Sequence, residues 1–344
     1  MTTKFNALVE DIPPHCRLLF KPIADATSDG CHMDVWLPKN EGTTVPLAII
    51  IHGGAFTHGS TKDIGFHQVK WLGEQGVAVV SLEYRMLPQV TLREIRSDLF
   101  DAYVFIQRHL NQEIEKARPA SPVVDTTRCL VTGGSAGGSA TLWLCADVAR
   151  YNETASQPLP AIKAALPAYC AITPDALKAA PREAIYSVKE QFGPERFALV
   201  EKLFNEKVCC ADPYRFNVMD KNPPMKPRNQ WVVAGMITGT IPSFLHGRDP
   251  PFPPEDEILN NITKDFPPTL MYVALEDDLI PPEGQKEALE SKLGQFGIEC
   301  RVVMVQAPHG FIDLPARYFP ERAQGWWDET VQPALEWALE KIGV

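Results

Sequence analysis

The chain has no excess of positive charge. Its 33 Lys and Arg stand against 43 Asp and Glu, a formal charge of −10 over 344 residues. Nucleic-acid binding needs a basic footprint, so that partner is not expected, and nothing favours attraction to an anionic membrane. No apolar run approaches membrane-spanning length. The opening residues Met1–Asn6 lack an apolar signal core, and the last four, Lys341-Ile342-Gly343-Val344, are no retention or peroxisomal address. Paired Cys-x-x-Cys spacing is missing too. The eight cysteines are scattered, and the adjacent Cys209-Cys210 has no zinc spacing around it. A reduced, cytoplasmic protein without metal or cofactor is expected, as monomer or homodimer. With 45% hydrophobic residues the chain can bury a core, as one large domain or two small ones.

Apolar stretches dominate what is present, the first of them loosely alternating at Met33, Val35 and Leu37. Cys31–Leu37, Leu47–Ile51, Val77–Leu82, Arg128–Thr132, Ile162–Tyr169, Thr269–Leu275 and Cys300–Val305 read as strands. Several have no polar alternation, as in strands covered on both faces of a parallel sheet. Between them lie helical patterns. Leu92, Ile95, Leu99, Tyr103, Ile106 and Leu110 recur at three- and four-residue spacing, and 136–148 is apolar nearly all round. Further helices are expected at 283–296 and at the C-terminus, where Val331, Leu335, Ala338 and Ile342 precede Gly343. A short helix is hinted at by Phe5, Leu8 and Val9. The alternation predicts an α/β fold with a mostly parallel central sheet and helices on both faces. It breaks between about 172 and 266, where proline and aromatics crowd together, with one helix expected near 194–208. Because a strand returns at 269, this stretch reads as a mainly helical cap inserted into a core of 31–171 and 267–344. Residues 1–30 form an N-terminal segment, counted apart or with the cap.

One stretch organises the rest: Leu130-Val131-Thr132-Gly133-Gly134-Ser135-Ala136-Gly137-Gly138. A strand that turns straight into a helix leaves no room for side chains beside the turn. Gly133 and Gly137 fit that crowding and would hold the Ser135 hydroxyl at the positive end of a helix. A phosphate-binding loop would need a Lys after the glycines; Ser139-Ala140-Thr141 follows instead.

In open α/β sheets chemistry collects at the carboxyl ends of strands. Four such ends carry reactive or small residues: His52–Phe56, Ser135, Asp277/Asp278 and His309. A serine that attacks needs a base, and imidazole titrates near neutrality. The imidazole needs a carboxylate to fix its tautomer, and a tetrahedral oxyanion needs N–H donors. All these parts are present, in the order serine, acid, histidine.

These motifs resemble the α/β-hydrolases and, within them, the hormone-sensitive-lipase-like carboxylesterases (α/β-hydrolase fold-3). The family's His-Gly-Gly-Gly loop has its counterpart in His52-Gly53-Gly54-Ala55, and its Gly-Asp-Ser-Ala-Gly-Gly elbow in Gly133–Gly138. An altered Tyr-Arg-Leu-Ala-Pro-Glu segment stands at Tyr84–Gln89, an Asp-x-Leu loop at Asp277–Leu279, and a His-x-Phe loop at His309–Phe311. The resemblance implies Ser135 as nucleophile, His309 as general base and then acid, and Asp277 as its orienting carboxylate, with Asp278 the runner-up. It implies an oxyanion hole at Gly53, Gly54, Ala55 and Ala136: N–H groups of the last three donate and Gly53 shapes the turn. His52 is expected to brace this loop, Arg85 to buttress loops near the sheet, and the other histidines to be structural or superficial. Two departures stand out. Gly134 replaces the acid before the nucleophile, and Ala55 replaces a glycine, which is expected to narrow the acyl pocket or restrict bulky alcohols.

The function expected is hydrolysis of a small, fairly apolar ester or acyl-amide through an acyl-enzyme. An alternative keeps the acyl-enzyme but passes the acyl group to another molecule, or performs carbon–carbon or cyclisation chemistry on a specialised metabolite. A third, non-catalytic ligand binding, resembles plant hormone receptors of this family that have lost one of the three residues; here all three are present.

Overall fold

A computed structural model describes residues 12–39, 43–172, 177–213, 226–313 and 320–344. The N-terminal helix hinted at by Phe5 and Leu8, and Pro223-Pro224, lie outside the described residues. The strands are β1 (Cys16–Pro22), β2 (Gly30–Trp36), β3 (Thr44–Ile51), β4 (Ala78–Leu82), β5 (Val123–Gly134), β6 (Ala164–Ala168), β7 (Thr269–Ala274) and β8 (Cys300–Val305). They make one sheet in the order β1-β2-β4-β3-β5-β6-β7-β8. β1 pairs antiparallel with β2 and β2 antiparallel with β4; every other pairing is parallel.

Alternation along a strand sends successive side chains to opposite faces. Leu47, Ile49 and Ile51 of β3 join one core with α2 (Leu92–Ala117) and α3 (Ala136–Thr154). Ala48 and Ile50 join the other, with α1 (Phe66–Glu74) and the C-terminal helix Gln332–Lys341. Covered on both sides, the run needs no polar alternation. α3 has apolar residues on nearly every side because it is buried nearly all round, from Ala136 to Ala149. α2 starts on a capping box: Thr91 N–H donates to Glu94 at 2.7 Å.

The N-terminal segment belongs in part to the sheet. β1 is its edge strand, and its Leu18 and Phe20 enter the first core. Sequence reasoning missed it because Arg17, Lys21 and Pro22 interrupt the apolar pattern. Farther on, Thr27 N–H donates to Val208 O at 2.8 Å, so the same segment also touches the proline-rich stretch. The proline-rich stretch holds a 3₁₀ turn (Arg182–Val188), α4 (Lys189–Leu203), α5 (Pro227–Thr238), α6 (Ile241–His246) and α7 (Ile258–Asn261). After β7 come α8 (Gln285–Gly294), β8, α9 (Pro320–Trp326), a π turn (Trp327–Val331) and α10 (Gln332–Lys341). Among the described residues no helix is long and apolar enough to cross a membrane.

Candidate active site

Ser135 lies between the last residue of β5 and the first of α3, with φ 56° and ψ −126°. A non-glycine residue held there costs about 1–3 kcal/mol and persists only where its surroundings over-determine it. They do. A Cβ on Gly133 would lie 2.5 Å from both Gly137 O and Ile51 O, and one on Gly137 would lie 2.1 Å from Ile51 O. Both glycines are therefore required by the close approach of β3 to the turn. Ser135 N–H donates to Ala168 O at 2.9 Å, fixing the turn to β6.

The missing acid at position 134 has a structural reason. A Cβ there would fall 2.2 Å from Tyr169 Oη and 2.4 Å from Asp313 Oδ2. The space is filled from two other segments, and Tyr169 Oη donates to Asp313 Oδ2 at 2.5 Å. Asp313 stands four residues after His309, so a carboxylate from the histidine loop fills the space that a side chain at position 134 would need.

Ser135 Oγ donates to His309 Nε2 at 2.9 Å, and His309 Nδ1 donates to Asp277 Oδ2 at 2.7 Å. Asp277 follows β7, and its Oδ1 accepts the N–H groups of Leu279 and Ile280, each at 2.9 Å. The carboxylate is thus held by its own loop, with its side chain 1% exposed. The edge of the Tyr169 ring meets the imidazole of His309 at 5.1 Å between centroids. Asp278 is exposed and lines the cavity without reaching His309.

The loop after β3 faces the elbow. A Cβ on Gly53 would be 2.9 Å from Gly134 O. Gly54 takes φ 102°, and Ala55 and Phe56 take φ 52° and 57°. Ala55 sits where the family's third glycine would, so the alanine bears strain that glycine would not. Thr57 and His58 N–H both donate to Gly54 O, and Leu87 N–H donates to Phe56 O at 2.9 Å. His52 stacks on Tyr84 with centroids 4.5 Å apart, and its Nδ1 donates to Gly53 O at 2.8 Å. Tyr84 Oη donates to His52 O at 3.0 Å. His52 therefore braces the loop. Arg85 closes on Asp98 through Nε at 2.8 Å and Nη2 at 2.9 Å.

Burial lowers the His52 pKa to about 4, the Gly53 carbonyl opposing and His58 adding to the fall. Native His52 is neutral where an unfolded histidine, near 6.5, takes up a proton. Stability from this group is full above pH 6.5 and lost as pH falls towards 4, by up to about 1.4 kcal/mol per pH unit. Urea midpoints should therefore drop between pH 7 and pH 5; a flat profile there would contradict the burial.

A cavity of about 490 Å³ opens over Ser135 and His309, within the range of small-molecule sites. Its apolar wall comes from Met236, Ile241 and Leu245 above and Leu279 and Ile280 beside. Among the described residues, Lys178, Asp278 and Asp313 are the charged groups that line it. Sequence reasoning missed Tyr169 and His58, which also line it. Tyr169 ends a strand, and the rule of strand carboxyl ends points there; His58 left no such signal. Behind the elbow, burial pushes the Cys170 thiol up to about 12, so a thiol and not a thiolate packs near Gly138. Among the described residues no group of His, Cys, Asp or Glu is arranged to hold a metal.

Residues 33–157 match the family model described as BD-FAE. The chain is 33% identical over 121 residues to the non-reducing polyketide synthase atr1 of Stereocaulon alpinum, and 32% over 118 residues to ausA of Emericella nidulans. Each match covers 33% of this chain and only 5% of the much longer relative. Among solved structures, esterase 2 of Thermogutta terrifontis superposes with a TM-score of 0.59 at 16% identity, covering 97% of both chains. A fungal esterase of Rhizomucor miehei superposes with a TM-score of 0.54 at 17% identity, covering 92% of this chain and 81% of that one. The eight-stranded, mostly parallel sheet, the strained serine between β5 and α3, and these superpositions together show that the chain has the α/β-hydrolase fold, with residues 33–157 similar to the BD-FAE family model.

Proposed function

We propose that the protein is a serine hydrolase of small carboxylic esters or acyl-amides. The observation that carries this is the hydrogen-bonded series Ser135–His309–Asp277, 2.9 and 2.7 Å, opening onto an apolar cavity. Ser135 Oγ attacks the acyl carbon as His309 Nε2 takes its proton, and Asp277 stabilises the imidazolium. The oxyanion meets the N–H groups of Gly54, Ala55 and Ala136. The leaving alcohol takes the proton from His309, and water, activated by the same imidazole, releases the acid. In this scheme the stretch 172–266 is the cap, with α5 and α6 roofing the acyl group. The Thermogutta esterase, seen with butyrate bound and phosphonylated by sarin, supports short acyl groups and a reactive serine here.

A second scheme keeps the acyl-enzyme and changes the acceptor. It is favoured by the matched segments of the relatives named as non-reducing polyketide synthases. Transfer of a polyketide-like acyl group to a second molecule, or its closure on carbon, would use the same three residues.

One experiment addresses both. The purified chain is given p-nitrophenyl esters of graded acyl length, with and without a competing alcohol, and a fluorophosphonate probe. Turnover is expected to peak at short acyl lengths, with one label per chain on Ser135. Products that carry the added alcohol would favour the second scheme. A chain that neither turns over nor labels would end both.

A further inference from the structure

Arg228, the second residue of α5, is 3% exposed, and its acceptors all lie outside that helix. Its Nη1 donates to Thr57 O at 3.0 Å and to Leu87 O at 2.7 Å, and its Nη2 to Gln89 Oε1 at 3.2 Å. Gln89 Nε2 in turn donates to Leu203 O, at the end of α4, at 2.6 Å. The guanidinium thus stands where three segments meet: the strained 53–57 loop, the 84–89 loop and the helices of 172–266.

The position bears on function for two reasons. Ala55 and Phe56, at positive φ, immediately precede Thr57, whose carbonyl Arg228 holds. A strained backbone persists only if it is tied down: beside the bonds within the loop, Leu87 N–H holds Phe56 O and the guanidinium holds Thr57 O from other segments. Two turns farther along α5, Gly235 and Met236 line the cavity. One helix therefore both lines the cavity and holds the loop beside Ser135. A second clasp runs parallel. Gly59 and Asp212 exchange backbone hydrogen bonds at 2.8 Å, and Lys226 Nζ donates to Asp212 Oδ1 at 3.2 Å.

We infer that Arg228 is a positioning residue that holds the proposed oxyanion loop in its reactive shape and couples it to the helix roofing the cavity. This rests on the hydrolase scheme above. Its mark is selective: loss of Arg228 should weaken the tetrahedral state, which needs aligned Gly54 and Ala55 N–H groups, more than the ground state, which needs only the cavity.

The test uses Arg228→Met, which keeps a long apolar stem but no donors, and Arg228→Lys, which keeps a charge and can reach the two carbonyls. Turnover of the best p-nitrophenyl ester is measured alongside inhibition by a trifluoromethyl ketone of the same acyl length, which forms an oxyanion on Ser135. For Arg228→Met, kcat should fall roughly tenfold to a hundredfold with KM within about threefold, and the ketone should bind weaker by the factor lost in kcat/KM. Arg228→Lys should recover part of both losses. Unchanged ketone affinity, a kcat within twofold of wild type, or a loss confined to KM would overturn the inference. If the Met variant does not fold, Arg228→Gln, whose short amide cannot serve both carbonyls and Gln89 at once, takes its place and is judged by the same limits. Wild-type turnover, and its disappearance in Ser135→Ala, test the hydrolase scheme separately. A wild type that labels without turning over leaves the labelling rate as the readout, and one that does neither overturns both ideas.

Discussion

Ser135→Ala is expected to lower kcat by about a million-fold with little change in KM, the scale seen when a protease loses its nucleophile. The variant removes one oxygen from a cavity of about 490 Å³, so the ground state loses little contact. What disappears is the atom 2.9 Å from His309 Nε2, and with it the acyl-enzyme. The imidazole and the N–H groups would remain, so slow direct attack by water is the only residue of activity expected. Stability should stay within about 1 kcal/mol of wild type, because alanine keeps the Cβ that makes φ 56° costly. That separates lost chemistry from lost fold: a melting temperature near wild type beside absent turnover and absent fluorophosphonate labelling. Turnover within tenfold of wild type would mean that the reaction belongs to another group.

What the sequence disclosed and what it concealed follow from how local each signal is. Ser135 was legible because two glycines flank it at fixed offsets, and packing demands both: either Cβ would strike Ile51 O. The buried strands were legible because a strand covered on both faces has no polar alternation. β1 was not, since as an edge strand it keeps Arg17, Leu19 and Lys21 towards solvent or ion pairs. Beyond the one helix expected near 194–208, which overlaps α4, the helices of 172–266 were hidden by their prolines, although the punctuation was present. Pro227 opens α5 and Gly239, at φ 71°, closes it; Pro242 lies in the first turn of α6 and Gly247, at φ 67°, ends it. Arg228 and Asp313 carry no local signal at all, and Tyr169 has only its place at the end of β6. Tyr169 and Asp313 are 144 residues apart and Arg228 lies 171 from Thr57, and only the closed fold turns them into one environment.

Asp277→Asn is expected to cost about ten-thousand-fold in kcat, as the same exchange does in a trypsin-like triad, whereas Asp278→Asn should leave kcat within about threefold. The two positions are adjacent, and sequence alone left a choice between them. The structure separates them by what each can reach. Asp277 Oδ2 accepts from His309 Nδ1 at 2.7 Å while Oδ1 is held by Leu279 and Ile280 N–H, so the carboxylate has one orientation and both oxygens are engaged. Asp278, next in the loop, is exposed at the cavity edge. An asparagine at 277 would keep its oxygen on the two backbone N–H groups, because only an oxygen can accept them. Its amide nitrogen would then face His309 Nδ1, and two donors cannot share that contact. The imidazole must place its proton on Nε2, the atom that has to accept the proton of Ser135. The loss is therefore one of tautomer and not of packing, and it should appear in kcat with KM and stability almost unchanged. A melting curve and the pH profile of kcat on both variants decide the matter. Equal losses at 277 and 278, or none at 277, would contradict Asp277 as the one orienting carboxylate.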